Sequence, residues 1–87
     1  MDLNDAHVLV TGASRGVGAV LAERFTDAGA RTTLVARSEE DLRGLSGRLA
    51  GSAWLSADLA EREGRDGLIA CAEEKQGPLD VLVNNAG

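Results

Sequence analysis

The sequence predicts an α/β fold built around a parallel sheet, and three observations carry that expectation. Short apolar runs alternate with segments of helical period in the order βαβαβαβ. Each run ends within five positions at glycine or polar turn residues. A glycine-rich stretch, Thr11 to Gly18, separates the first run from the first helical segment. Strands joined through helices need crossover connections, which are right-handed and leave the strands parallel.

The elements follow in order. His7-Val8-Leu9-Val10 is short, β-branched and stopped at Thr11-Gly12, which suits a strand buried on both faces. From Gly16 the apolar residues Val17, Val20, Leu21, Phe25 and Ala28 recur at helical spacing, and Gly29 stands where a helix C-terminus is expected. Thr32 to Ala36 forms a second strand. Ser38 can cap the next helix, with Glu39, Glu40 and Asp41 in its electropositive first turn and Leu42, Leu45 and Leu49 on one face. Ala53-Trp54-Leu55 is a weaker third strand running toward Asp58-Leu59. A third helix is expected over Glu61 to Gln76, although Gly64 and Gly67 each cost it about 1 kcal/mol relative to Ala. Gly77-Pro78 breaks that helix, and Leu79 to Val83 forms a fourth strand before Asn84-Asn85-Ala86-Gly87.

Composition narrows the function classes. The 87 residues make one domain at most, and the net charge of −5 offers no basic patch for nucleic acid. A single cysteine, Cys71, leaves no internal disulfide and no paired-cysteine metal motif, so no metal is expected and a reducing cytoplasm fits. The first ten residues carry neither a basic start nor a long apolar run, and no stretch approaches the ~18–20 apolar residues of a membrane span. No nucleic-acid or membrane partner is expected.

The glycine stretch carries the chemistry. Between a strand and a helix, glycines let the backbone turn tightly and let the helix pack closely on the strand. The helix N-terminus then offers free N–H groups and partial positive charge to a phosphate. The spacing here is G-x-x-x-G-x-G, at Gly12, Gly16 and Gly18. No Gly-Lys-Ser/Thr follows at the offset a nucleoside-triphosphatase loop requires, which weighs against an ATPase or GTPase. The fold class expected is the N-terminal part of a Rossmann-type doubly wound parallel sheet.

The segment Thr11-Gly12-Ala13-Ser14-Arg15-Gly16-Val17-Gly18, followed much later by Asn84-Asn85-Ala86-Gly87, resembles the classical short-chain dehydrogenases/reductases, particularly their carbonyl- and ketoacyl-reductase-like members. The resemblance runs through the whole chain. It implies that Gly12, Ser14, Arg15, Gly16, Val17 and Gly18 surround the phosphates of a dinucleotide. It implies that Asp58 and Leu59 contact the adenine, and that Asn85, Ala86 and Gly87 lie along the ribose toward the nicotinamide. Asn84 would mainly hold the central strands.

The second strand bears on which dinucleotide is bound. An NAD-selective site needs an acid at its end to hold both ribose hydroxyls. Here Ala36 and then Arg37 stand at that point. A guanidinium can hold a 2′-phosphate in its fork where a carboxylate would repel it. Arg15 lies on the same side in the family. NADP(H) is therefore expected, with NAD second.

The function expected is hydride transfer between the nicotinamide and a carbonyl or alcohol carbon of a small molecule. The family's proton donor is a Tyr aided by a Lys and a Ser, all beyond the Asn-Asn-Ala-Gly motif. These 87 residues contain no Tyr, and Lys75 is their only lysine, so no catalytic residue is assigned. Residues 1–87 are read as a partial dinucleotide-binding domain, cut after the fourth strand of a 3-2-1-4-5-6 sheet, with a homo-oligomeric parent. The alternative is a non-catalytic redox-sensor module of the same fold. His7 is expected at the surface or a strand end, Cys71 on the third helix's apolar side, and Trp54 in the core or at the sheet edge. Asp66 and Asp80 show no catalytic partner.

Overall fold

The computed structural model describes residues 3–58 and 67–85. Within them the chain forms β1 (His7–Thr11), α1 (Gly16–Asp27), β2 (Arg31–Ala36), α2 (Glu39–Ser46), β3 (Ala53–Ser56), α3 (Leu68–Gln76) and β4 (Val81–Val83). The four strands pair in parallel in the order β3-β2-β1-β4, as the sequence predicts. The chain steps outward from β1 to β2 and β3, then returns to the opposite side of β1.

Alternation along each strand sends side chains to two different layers. Val8 and Val10 of β1, with Leu34 and Ala36 of β2, pack against Ala22 of α1 and against Leu42, Leu45 and Leu49. Leu9 and Val35 point the other way, toward Ala72 of α3, with Leu55, Leu68 and Leu79 beside them. Helices on both faces leave no solvated side to β1, whose five residues are all buried. The α2 reading holds in detail. Ser38 Oγ accepts from the Asp41 amide at 3.2 Å, and Leu42, Leu45 and Leu49 share the buried face. Gly29 follows the end of α1 at φ +93°, the left-handed position a glycine takes after a helix.

Helix α1 differs from its expected stripe. Its buried residues are Gly18 and Ala22, with Ala19 and Phe25 packed against the core, whereas Val17 and Val20 are 67% and 51% exposed. The helix lies close to the sheet at its first turns, where Gly18 and Ala22 face the strands. Strand β4 starts at Val81, later than expected; before it the Leu79 amide donates to Glu73 Oε2 at 2.8 Å. The third helix is described from Leu68 to Gln76, and the earlier part of its expected span lies outside the described residues. Cys71 is exposed, since Ala72 is the α3 residue that reaches the sheet. Trp54 is half-buried on edge strand β3, with the Arg43 guanidinium 5.7 Å from its ring centroid.

His7 stands at the start of β1, the strand-end place expected of it, but it is fully buried rather than at the surface. Its Nδ1 lies 2.9 Å from the Gly77 carbonyl, which can only accept, so Nδ1 carries the hydrogen. In the neutral ring Nε2 then accepts from the Thr33 hydroxyl at 2.7 Å. Gln76 Nε2 in turn donates to the Thr32 carbonyl at 2.6 Å and faces Thr33 Oγ1 at 3.4 Å. The backbone joins in. The His7 amide donates to Asp80 Oδ2 at 2.8 Å, and the Asp80 amide to the His7 carbonyl at 3.0 Å. This network ties the start of β1 to β2 and to the turn between α3 and β4. Asp80 thus has a structural partner that spacing did not reveal.

Removing the His7 ring would leave the buried Thr33 hydroxyl and the half-buried Gly77 carbonyl without their partner. His7→Ala is expected to lower stability by about 1–3 kcal/mol, measured by urea unfolding followed by circular dichroism. A loss below about 0.5 kcal/mol, the scale of an ordinary surface change, would show that the network does not depend on the ring.

Candidate functional site

Because the four strands are parallel, their C-terminal tips lie along one edge of the sheet. Thr11 pairs with Val35, Val10 with Val83, and Ala36 with Ser56, so the loops after all four strands gather there. The chain reverses its direction of strand addition between β1 and β4, and in open α/β sheets the crevice at such a reversal is where ligands bind.

The β1–α1 loop turns back at Gly12, at φ +62°, and enters the helix at Gly16, at φ +63°. A Cβ at Gly18 would overlap the Gly12 carbonyl oxygen and lie 2.8 Å from the carbonyl carbon. Helix and strand end are therefore in direct backbone contact. On the other side of the loop, a Cβ at Gly16 would meet no atom within 4 Å. Arg15, the residue before α1, is extended and gives the helix no side-chain cap, and no acid stands in the first turn. The α1 N-terminus thus keeps its amides and its partial positive charge available to an anion. Ser14 is half-buried in the loop.

Thr11 pins the neighbouring strand tip, a role sequence reasoning missed. Its Oγ1 accepts from the Asn85 amide at 2.9 Å, and its hydroxyl hydrogen faces the Val83 carbonyl at 3.3 Å and Asn84 Oδ1 at 3.2 Å. Asn85 Nδ2 reaches the Gly12 carbonyl at 3.5 Å. The two ends of the quoted motifs, 73 residues apart, are in contact through that bond. The sequence marks Thr11 only as the end of a buried run and the first residue of the glycine motif.

Beyond β2, Arg37 is exposed and makes no ion pair among the described residues, while its carbonyl accepts from Ser56 Oγ at 2.9 Å. Arg15 reaches toward the same region. Its Nη2 lies 3.8 Å from Asp41 Oδ2 in the first turn of α2, only four residues past Arg37. Asp58 is half-buried just past the end of β3. Leu59, Ala86 and Gly87, the remaining residues singled out from the sequence, lie outside the described residues. The other candidates, including exposed Val17, come together at the strand tips. Among the described residues no group of acid, His or Cys side chains is placed to hold a metal ion, and no helix is long and apolar enough to cross a membrane.

Comparison with known proteins adds to this geometry. Residues 6–87 match the family described as short chain dehydrogenase. An L-fucose dehydrogenase of Oryctolagus cuniculus is 38% identical over 80 residues, covering 92% of this chain and 28% of that protein. A granaticin polyketide synthase putative ketoacyl reductase of Streptomyces violaceoruber is 40% identical over 83 residues, covering 91% of this chain and 30% of that protein. Among solved structures, an actinorhodin polyketide ketoreductase with NADPH superposes with a TM-score of 0.89 at 37% identity, covering 95% of this chain and 33% of the other. The chain spans about 30% of the length of the curated relatives it matches.

A glycine of α1 and one of α2 should respond oppositely to an added methyl. Gly18→Ala forces Cβ into the Gly12 carbonyl and is expected to destabilise by about 1–3 kcal/mol, as overpacking does. Gly44→Ala, inside α2 with open space around it, should stabilise by up to about 1 kcal/mol. Thermal melts of both variants check the pair. A neutral Gly18→Ala would mean that α1 is free to move off β1.

Proposed function

The chain belongs to the short-chain dehydrogenase family, and on that premise we propose that it is the dinucleotide-binding part of an NADP(H)-dependent oxidoreductase acting on a carbonyl or alcohol group. The observation that carries this reading is the α1 N-terminus. It has no side-chain cap and no acid, it rests backbone to backbone on the end of β1, and the loop leading into it is open at Gly16. That arrangement fits a pyrophosphate, with amides of the loop and first turn donating to its oxygens.

In this reading Gly12, Ser14, Arg15, Gly16, Val17 and Gly18 hold the phosphates. Asp58 and Leu59 bound the adenine, and Asn85, Ala86 and Gly87 extend along the ribose toward the nicotinamide. The bound dinucleotide would supply or accept the hydride. Thr11 keeps the β4 tip against β1, so that the phosphate end and the nicotinamide end of the site hold a fixed separation. Arg37 and Arg15, with Ala36 where an acid would select NAD, receive the 2′-phosphate. The NADPH named with the actinorhodin ketoreductase structure supports that choice.

The proton donor is assigned to residues outside these 87. No tyrosine occurs among them, and Lys75 is exposed on α3. A small-molecule carbonyl or alcohol is the proposed substrate class. The ketoacyl reductase and fucose dehydrogenase relatives span both of those functional groups by name.

Arg37→Ala tests the cofactor choice. Loss of a hydrogen bond to a charged group should weaken NADPH binding by about tenfold or more while leaving NADH much less affected. Fluorescence titration of wild type and variant with both cofactors reads the difference. An equal loss for both would remove Arg37 from the 2′-phosphate site, and wild-type protein that binds neither would overturn the proposed function.

A further inference from the structure

Arg15 and Arg37 stand on one side of the site but in unequal states. Arg37 makes no ion pair among the described residues, whereas Arg15 faces Asp41 with Nη2 3.8 Å from Oδ2. The Asp41 carboxylate adds its charge to the first turn of α2, but its ion pair is made outside that helix. Ser38 caps α2 through the Asp41 backbone amide, not its side chain. Glu39 and Glu40 already place negative charge in the same first turn, and Arg43 pairs with Glu39 at 3.2 Å. The carboxylate is thus directed at the loop arginine rather than at its own helix.

We propose that Asp41 is a specificity-determining residue that competes with the 2′-phosphate of the dinucleotide for Arg15. The inference rests on the NADP(H) reading above. Without ligand, Asp41 holds the guanidinium over the gap between the β1–α1 loop and α2. A 2′-phosphate carries more charge and accepts both arms of the fork, so it draws Arg15 away. The cost of breaking the ion pair is subtracted from NADPH affinity alone, because NADH presents only a hydroxyl at that position. Asp41 therefore lowers the preference for NADPH below what two unengaged arginines would give. The pair is open to water, with side chains 84% and 45% exposed, so its effect is modest and falls as salt rises.

The test is a set of dissociation constants for NADPH and NADH, at low and high salt, for wild type, Asp41→Asn, Arg15→Ala and the double variant. Asp41→Asn keeps the amide that Ser38 caps, so the helix start is retained. The expected result is NADPH binding about two- to fivefold tighter in Asp41→Asn, with NADH unchanged. That gain should shrink at high salt and vanish in the Arg15→Ala background. No gain, an equal gain for NADH, or a gain undiminished without Arg15 would each overturn the proposal while leaving NADP(H) selectivity intact. Wild-type protein with no preference for NADPH would overturn the cofactor reading, and this inference with it.

Discussion

At the start of α1 a helix backbone and a strand-end backbone meet with no side chain between them. Gly18 lies against the Gly12 carbonyl, and Asn85 Nδ2 approaches from the tip of β4, 2.7 Å from where a Gly18 Cβ would sit. Two consecutive elements and the end of distant β4 converge on that spot, and much follows from their convergence. The helix can sit low on the sheet, so its buried residues are Gly18 and Ala22 rather than valines. Its N-terminus is held in line with the strand tips, where an anion can approach both the amides and the loop. The tip of β4 is fixed by the same contact together with Thr11.

Much of the fold was legible because its signals are local. Ser38 caps α2, Gly29 follows α1, and Leu42, Leu45 and Leu49 share a face, all readable from spacing within one or two turns. The parallel order followed from alternation of strand and helix. Sequence reasoning failed where partners came from far away. One miss is local: periodicity groups Val17 and Val20 with Phe25 along α1, but only Phe25 packs against the core, because Gly18 rather than a valine meets the strand end. The strand-end place of His7 is readable but its burial is not, because Thr33 and Gly77, 26 and 70 residues distant, satisfy its ring.

The candidate site divides in the same way. Glycines in a strand–loop–helix context carry their own meaning, and the positions at which Gly12 and Gly16 take positive φ are those the motif marks. The exposed place of Arg37 just after β2 is readable from the end of the second run. The pairing of Arg15 with Asp41 was not, since the two are brought together only by the crossover through α1 and β2. Asp41 looked like an ordinary partner for the α2 dipole. Thr11 looked like the end of a buried run, although its hydroxyl joins β1 to the end of β4.

The central position of β1 also imposes an order on assembly. His7 pairs with Arg31 across one helix, whereas Val8 pairs with Val81 across two strands and everything between. Closing a loop roughly three times longer costs about 1 kcal/mol more in chain entropy. β4 has only three paired residues with which to offset that difference, against five on the β2 side. The β1–α1–β2 unit is thus the part that loop entropy lets close early, carrying the glycine turn with it. The tip of β4, with Asn84 and Asn85 after it, reaches its final form only after the rest of the sheet exists to receive it. On a ribosome, where the chain emerges from its N-terminus, synthesis and loop entropy run in the same direction.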